Sequence, residues 1–259
     1  MKRQRRTSRT TVVTMALVLL LGSGSLLGRT ARADPQFTTQ FPLDECTFSN
    51  TGRNLYFSIR PGDWLLLEGD DEGEIVRVQI RVLSQTKRIS FKDEEGETLV
   101  VNARVVEERE WKDGELVEIS RNYYARCVQT GDIYYFGEDV DIYEDGEVVS
   151  HEGAWLAGKE TGPGQARARP GLIMPGSFLL GSRYVQEQAV PVAQDQAEHV
   201  RMGLTVQTPA GTFEECVEIK ETTPLEPGAQ SIKLYCAELG LVADGVTRLV
   251  RFHIAGFDD

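Results

Sequence analysis

The segment Leu172–Glu198 contains the side chains that are best suited to holding a ligand. A cation, an aromatic ring and an acid follow closely at Arg183, Tyr184 and Glu187, and Met174-Pro175-Gly176 interrupts the strand pattern before them. Ligand pockets are mostly apolar and carry a few polar groups that orient the ligand. The segment therefore predicts part of a binding site. The alternative is ordinary sheet packing with an ion pair between Arg183 and Glu187.

Two aromatic residues and a histidine are expected to share a sheet face near this segment. If the Asp145-Gly146 turn sets the register, Phe136 lies opposite Trp155, and His151 lies on the same apolar face. The predicted ligand site consists of Phe136, His151, Trp155, Met174, Arg183, Tyr184 and Glu187. For His151, a core histidine that is hydrogen-bonded to a neighbour is the alternative interpretation.

The 40 acidic residues suggest two further kinds of chemistry. Hydrolysis of glycosidic bonds uses two carboxyl groups about 5–10 Å apart across a cleft, and a buried catalytic carboxyl group has a raised pKa. Glu138 and Glu187 are the candidates for such a group. Calcium prefers oxygen ligands, and Asp139, Asp141 and Glu152 are expected on one face of a hairpin. In a chain this acidic, both groupings also arise as an ordinary solvated surface.

Nucleophilic catalysis finds little support in the sequence. Ser177 follows Pro175-Gly176 and does not lie in a Gly-x-Ser-x-Gly motif. No two of the three histidines have the spacing of metal ligands. The sequence therefore identifies no catalytic residues, and calcium is the only cofactor that it suggests.

The chain has four cysteines, Cys46, Cys127, Cys216 and Cys236, and an even number favours disulfides. A turn centred on Glu226 sets Cys216 opposite Cys236, and directly opposed residues in antiparallel strands are close enough to bridge. Cys46 then pairs with Cys127. A zinc site is the alternative, although no two cysteines have the short spacing that zinc sites use.

Residues 1–33 have the pattern of a secretory signal peptide. A basic stretch from Lys2 to Arg9 precedes an apolar run from Val12 to Leu21, and Ala31-Arg32-Ala33 supplies a cleavage site. The apolar run is too short to span a bilayer as a helix, although an uncleaved anchor is the alternative. We expect an exported protein, periplasmic or extracellular, whose mature chain begins at Asp34 and has no membrane span. Disulfides fit such a compartment.

The mature chain is strongly acidic. Seven of the 28 basic residues lie in the signal segment, which leaves 21 basic against 40 acidic side chains. Such a surface repels phosphate groups, so nucleic acid is not expected as a partner. The sequence gives no indication of a protein partner.

Turn signals such as Asp113-Gly114 and Asp145-Gly146 separate short β-rich runs. Asp-Gly between alternating apolar residues is among the strongest hairpin signals. We predict one all-β domain over residues 34–259, an antiparallel meander that forms a curved sheet, a half-barrel or a barrel. Arg109 is expected to face Glu118, Leu241–Ile254 to be one strand, and Val190–Glu198 to contain a short helix.

Several motifs resemble an uncharacterised family of exported bacterial β-rich proteins, and the match spans roughly Cys46 to Val250. They include Tyr135-Phe136-Gly137-Glu138-Asp139-Val140, His151-Glu152-Gly153-Ala154-Trp155, Pro170-Gly171-Leu172-Ile173-Met174-Pro175-Gly176 and Thr223-Pro224-Leu225-Glu226-Pro227-Gly228. The resemblance implies an exported β-rich protein and no particular reaction. This chain departs from the family near the hairpin that contains Tyr235, where Cys236 interrupts the family's usual small residues.

The C-terminal third is similar, more loosely, to periplasmic sheet proteins that read PAGTF, a cysteine and then GLV. These letters occur at residues 209–213, Cys216 and residues 240–242. The similarity implies a curved sheet or half-barrel whose concave face can hold an apolar ligand. Fold similarity alone does not specify function.

These observations favour a non-catalytic binding or cell-envelope protein whose curved sheet holds an apolar small molecule or lipid. Two alternatives stay open: an envelope hydrolase with paired carboxylates, and a calcium-dependent structural or interaction protein.

Overall fold

Alternating apolar and polar residues between tight turns form antiparallel strands over most of the chain, and 61% of it is strand. The computed structural model describes residues 36–93 and 95–256. A 3-10 turn, η1, covers Leu43–Glu45. The first eight strands are β1 (Phe48–Ser49), β2 (Trp64–Asp71), β3 (Glu74–Lys92), β4 (Thr98–Lys112), β5 (Glu115–Cys127), β6 (Ile133–Glu144), β7 (Glu147–Ser150) and β8 (Trp155–Leu156). The others are β9 (Gly171–Met174), β10 (Arg183–Val185), β11 (Gln196–Thr208), β12 (Gly211–Thr222), β13 (Gln230–Cys236), β14 (Gly240–Asp244) and β15 (Thr247–His253).

The 15 strands form one antiparallel sheet, which confirms the all-β prediction. Their hydrogen-bonded order is β10-β11-β12-β13-β14-β15-β2-β3-β4-β5-β6-β7. Strand β1 pairs with β5, and both β8 and β9 pair with β6. Most neighbours are consecutive in sequence, as in a meander, but β15 returns to pair with β2. Over the described strands the sheet is not closed into a barrel.

Two Asp-Gly turns close hairpins as predicted. Asp113 and Asp145 have φ values of 49° and 52°, and the glycines that follow have φ values of 86° and 81°. Positive φ at both central residues is the type I′ geometry that matches the twist of the flanking strands. These turns join β4 to β5 and β6 to β7.

The predicted pairing of Phe136 with Trp155 is wrong because the register between β6 and β7 shifts between Ile142 and Tyr143, and β7 ends at Ser150. Trp155 pairs with Glu138 instead. Relative to β5, strand β6 has one extra residue between Tyr135 and Glu138. Gly137, which lies in this bulge, has a φ of 130°, and a Cβ there would overlap the backbone of Trp155. The bulge puts Tyr135 and Glu138 on one face and Phe136 on the other.

Other predicted details also differ. Within the described residues, Val190–Glu198 contains no helix, and its end belongs to β11. The expected strand Leu241–Ile254 is divided by a turn into β14 and β15. A register shift in the β4–β5 hairpin pairs Glu118 with Glu110 rather than with Arg109.

Apolar packing covers both faces of β6, which begins with five consecutive buried residues. On one face the ring of Phe136 lies 5.6 Å from that of Phe91. On the other face the ring of Tyr135 lies 4.8 Å from that of Tyr124 and 5.2 Å from that of Trp155. Aromatic pairs at such separations add to the stabilisation from buried area.

Both predicted disulfides are present. Cys46 is bonded to Cys127, and Cys216 is bonded to Cys236. Cys216 and Cys236 are direct cross-strand partners in β12 and β13, as the turn centred on Glu226 indicated. The chain has no free cysteine, so a zinc site made of cysteines is excluded.

Removing the Cys46–Cys127 bridge is expected to destabilise the protein more than removing Cys216–Cys236. The two bridges join residues 81 and 20 positions apart. Loop-closure entropy gives losses of about 4.5 and about 3.3 kcal/mol for such loops. We expect the double serine variant of Cys46 and Cys127 to unfold at a lower urea concentration than the double serine variant of Cys216 and Cys236. The reverse order would contradict the entropic account.

The part of the chain that the structure describes contains no helix long and apolar enough to cross a membrane. The two disulfides are consistent with an exported protein. The predicted signal peptide, residues 1–33, lies outside the described residues.

Candidate functional site

A cavity of about 100 Å³ lies on one face of the sheet. Residues of β2, β3, β4, β5, β9, β13 and β14 line it, so the sheet curves around it. Its apolar wall includes Leu65, Ile80, Val82, Val106, Leu239 and Leu241. Cross-strand pairing explains this wall, because Leu65 pairs with Ile80 and Val82 pairs with Val106. Alternation along β2, β3 and β4 thus directs one set of apolar side chains towards the cavity.

Aromatic rings form a second part of the lining: Tyr56, Phe57, Trp64, Tyr124 and Tyr235. The rings of Phe57 and Tyr124 are 5.3 Å apart, edge to face. Tyr124 and Tyr235 are only 7% and 5% exposed. Neither hydroxyl makes a hydrogen bond within residues 36–93 and 95–256, and neither oxygen is one of the fully buried atoms that lack a partner, so both oxygens keep some accessible surface. Both hydroxyls can therefore bind a polar group in the cavity.

Glu108 supplies a carboxyl group to the cavity wall. It lies on β4 opposite Ile80 and Ser120 of the neighbouring strands. Burial raises the pKa of Glu108 to about 7, against the opposing effect of the Lys233 charge. Within the described part of the chain, its carboxyl group makes no hydrogen bond or ion pair. At neutral pH it can therefore meet a ligand as a hydrogen-bond donor or as an anion.

Lys233 is the cation at the cavity wall, and two carboxylates balance its charge. Its Nζ atom lies 2.8 Å from Glu221 Oε2 and 3.6 Å from Asp244 Oδ2. Burial opposes the charge of Lys233, but these two carboxylates raise its pKa well above the usual value. Glu221 also accepts a hydrogen bond of 2.8 Å from the side-chain amide of Gln186. Lys233 therefore does not make the cavity positive.

Glu138 and Glu187 form a second acidic group. The Trp155 indole donates to Glu187 Oε1 at 3.3 Å, and the Asp195 backbone N–H donates to Glu187 Oε2 at 3.4 Å. Burial, then the charge of Glu187, raises the pKa of Glu138 to about 8. Burial, then the charge of Asp195, raises the pKa of Glu187 to about 7. The raised pKa values expected of a catalytic pair are present, but neither residue lines the 100 Å³ cavity.

The residues predicted to bind the ligand do not gather at this cavity; none of the seven lines it. Trp155 and Glu187 contact each other, whereas Phe136 faces away from them across β6. Met174 is buried in β9. The Tyr184 hydroxyl lies 3.0 Å from His199 Nε2.

Arg183 and His151 also lie outside the predicted arrangement. Arg183 forms its ion pair with Glu198 across β10 and β11, and not with Glu187 as the sheet-packing alternative held. The His151 side chain is 70% exposed rather than part of an apolar face. Its Nδ1 atom lies 2.7 Å from the Val140 carbonyl oxygen. The end of β7 at Ser150 explains this, because His151 follows the strand.

The described residues give the calcium hypothesis no support. Among residues 36–93 and 95–256, no three acidic, histidine or cysteine side chains are placed to hold a metal ion. Asp139 contacts Lys87 and Tyr123, and Asp141 contacts Arg121 at 2.9 Å. Glu152 is exposed in the turn after β7. Cations of neighbouring strands therefore balance Asp139 and Asp141, two of the three carboxylates that were expected to bind calcium.

Sequence reasoning missed the polar groups that do reach the cavity: Glu108, Tyr124, Lys233, Tyr235 and Asp244. The sequence did contain an indication of Lys233 and Tyr235. In the β12–β13 hairpin they lie opposite the apolar residues Ile219 and Val217, and so on the same face of the sheet. For Glu108, the register shift between Glu110 and Trp111 changes the cross-strand partner from Ile119, as the predicted register would have it, to Ser120.

Comparison with protein-family models, with curated proteins and with solved structures found no match. The resemblance to exported bacterial β-rich proteins therefore remains a prediction, and the site rests on its own geometry.

Proposed function

We propose that this is an exported, non-catalytic binding protein that holds a small, largely apolar molecule against the concave face of its sheet. The observation that carries the proposal is the 100 Å³ cavity, which has aliphatic and aromatic walls and few polar groups. Small-molecule sites have this composition, since apolar area provides affinity and a few polar groups fix orientation.

The chemistry of the lining indicates how a ligand would be held. Burial of apolar ligand surface against Leu65, Val82 and Val106 favours binding at about 25 cal/mol per Å². The unpaired carboxyl group of Glu108 and the Tyr124 hydroxyl would fix the polar end of the ligand. Both lie on strands of the sheet rather than on loops, so the site is largely formed before binding.

The hydrolase alternative has weaker support. Burial raises the pKa of Glu138 to about 8 and that of Glu187 to about 7, so near neutral pH Glu138 is mainly protonated and only about half of Glu187 is ionised. Glycoside hydrolysis needs one of the two as an anion, to act as a nucleophile or a base. Neither group lines the cavity. We therefore propose binding rather than hydrolysis.

Mass spectrometry of the protein purified under native conditions from its own host tests the proposal. A small apolar molecule in about one-to-one ratio with the protein would support it. The proposal would be overturned if the protein is purified without a ligand and also fails to bind any member of a panel of small apolar and amphipathic compounds. Binding to the panel is measured by the thermal shift of the protein.

Filling the cavity is expected to abolish binding of whichever compound the panel identifies. Val82 and Val78 lie on the same face of β3, but only Val82 lines the cavity. We expect Val82→Phe to weaken binding at least about tenfold, because the added ring occupies the ligand volume. Val78→Phe is the matched control and should bind normally. Calorimetric titration measures both, and equal loss in the two variants would contradict the location of the site.

A further inference from the structure

We infer that the ligand is a small organic ammonium compound, whose charged head lies among the aromatic rings and whose counter-charge is Glu108. This inference rests on the proposed function and adds a ligand class to it. Its basis is the presence, in one cavity, of five aromatic residues, a carboxyl group without an ion pair and two tyrosine hydroxyls that make no hydrogen bond within the described residues.

Aromatic rings attract ammonium groups through the negative potential of their faces, and rings surrounding one space are the usual receptor for quaternary ammonium ligands. Tyr124 and Tyr235 reach the cavity from β5 and β13, and Trp64 reaches it from the start of β2. These strands are far apart in sequence and in sheet order. Three separate strands therefore supply rings to the lining of one cavity.

The charges at the cavity also favour a cation. Lys233 is balanced by Glu221 and Asp244, each within 4 Å of its ammonium group. Asp63 lies 3.4 Å from the guanidinium group of Arg60. Glu108 has no such partner in the described residues. An ammonium ligand would supply the positive counter-charge that Glu108 lacks. A carboxylate or phosphate ligand would be repelled by the excess of acidic side chains at the cavity.

The two tyrosine hydroxyls add polar contacts. The charges of Lys233, Glu221, Asp244 and Glu108 all act on the hydroxyl of Tyr235, and the Glu108 charge acts on that of Tyr124. Both hydroxyls therefore lie close to the charged groups of the cavity. Each can accept a hydrogen bond from an ammonium N–H or from a hydroxyl of the ligand.

The size of the cavity limits the ligand. A cavity of about 150 Å³ holds benzene, so about 100 Å³ holds about four or five non-hydrogen atoms. A trimethylammonium group has this size. A longer substituent would have to extend along the apolar wall beyond the cavity.

Choline and 3,3-dimethylbutan-1-ol provide the test, because they share one shape and differ in charge. Calorimetric titration is performed at pH 8, where most of Glu108 is ionised. The groups whose charges act on Glu108 are Lys233, Asp244, Glu118 and Glu110. We expect choline to bind at least about tenfold more tightly than the neutral alcohol. Equal affinity for the two would overturn the ammonium assignment and leave the proposed binding function intact. Binding of neither, together with failure of the apolar panel, would overturn both.

Glu108→Gln separates the two ideas further. This variant should lose about tenfold in affinity for choline and keep its affinity for 3,3-dimethylbutan-1-ol. Glu115→Gln is the control, because Glu115 is an exposed residue of the neighbouring strand β5 that neither lines the cavity nor acts on Glu108. An unchanged preference for choline in Glu108→Gln would overturn the role of Glu108.

Discussion

Replacing Lys233 by methionine is expected to lower the free energy of unfolding by about 2–4 kcal/mol at neutral pH. The ammonium group lies between Glu221 and Asp244, and Glu221 is buried. Without the cation, these carboxylates lose their counter-charge in a region where solvent screens them poorly. The expected loss is below that of a fully buried pair, because the Lys233 side chain keeps 26% of its surface exposed.

Lys220→Met is the matched control for this experiment. Lys220 lies 2.6 Å from Glu198, but Glu198 keeps Arg183 as a second cation. Lys220→Met should therefore lower the free energy of unfolding by less than about 1 kcal/mol. Adding Glu221→Gln to Lys233→Met should restore a large part of the stability, because one of the two unpaired anions is then removed. Urea unfolding measures each variant, and equal losses for the two lysine variants would contradict the account.

The protein is expected to be several kcal/mol more stable near pH 5.5 than near pH 8. Glu108, Glu138 and Glu187 have pKa values of about 7, 8 and 7 in the folded protein, against an ordinary value of 4.5. Between 4.5 and these values, the unfolded chain releases protons that the folded protein keeps. Stability therefore falls as the pH rises through this window.

His199 acts in the opposite direction. Burial lowers its pKa from 6.5 to about 4, so its contribution to stability is lost as the pH falls through this range. Its Nδ1 atom lies 3.1 Å from the Leu179 carbonyl oxygen, and its ring stacks on Phe178. One histidine offsets only part of the effect of three carboxyl groups.

Urea unfolding at several pH values between 5.5 and 8 tests this expectation. Glu138→Gln should stabilise the protein by about 1–3 kcal/mol at pH 8 and reduce the pH dependence, because the amide cannot ionise. Glu152→Gln, which changes an exposed carboxylate, should leave the curve unchanged. Stability that rises steadily from pH 5.5 to pH 8 would mean that these carboxyl groups are not buried in the folded protein.

Local patterns predicted much of the fold correctly. The Asp-Gly turns and the alternation around them identify the hairpins, since turn type and strand twist depend on neighbouring residues. The turn centred on Glu226 places Cys216 opposite Cys236 because β12 and β13 pair without a register shift between them. Where a strand is regular, counting residues from the turn is sufficient to predict which residues pair across the strands.

The candidate site could not be predicted in the same way. The bulge around Gly137 puts Phe136 on the face of β6 opposite to Glu138. The register shift between Glu110 and Trp111 changes the cross-strand partner of Glu108 on β5. A shift of a single residue exchanges the two faces of a strand, so each irregularity invalidates the count beyond it. The cavity also needs Lys233 and Tyr235 to meet residues of β4 and β5. That meeting depends on the curvature of the whole sheet, which no local pattern contains.

The pairing of β15 with β2 has a consequence for how the chain reaches its native state. Leu67 on β2 pairs with Leu249 on β15, close to the end of the sequence. Contacts between such distant residues slow folding, because a long loop must close before they are gained. One edge of β2 stays unpaired until β15 has been synthesised. A chain interrupted before Thr247 would keep that edge exposed, and exposed strand edges favour aggregation.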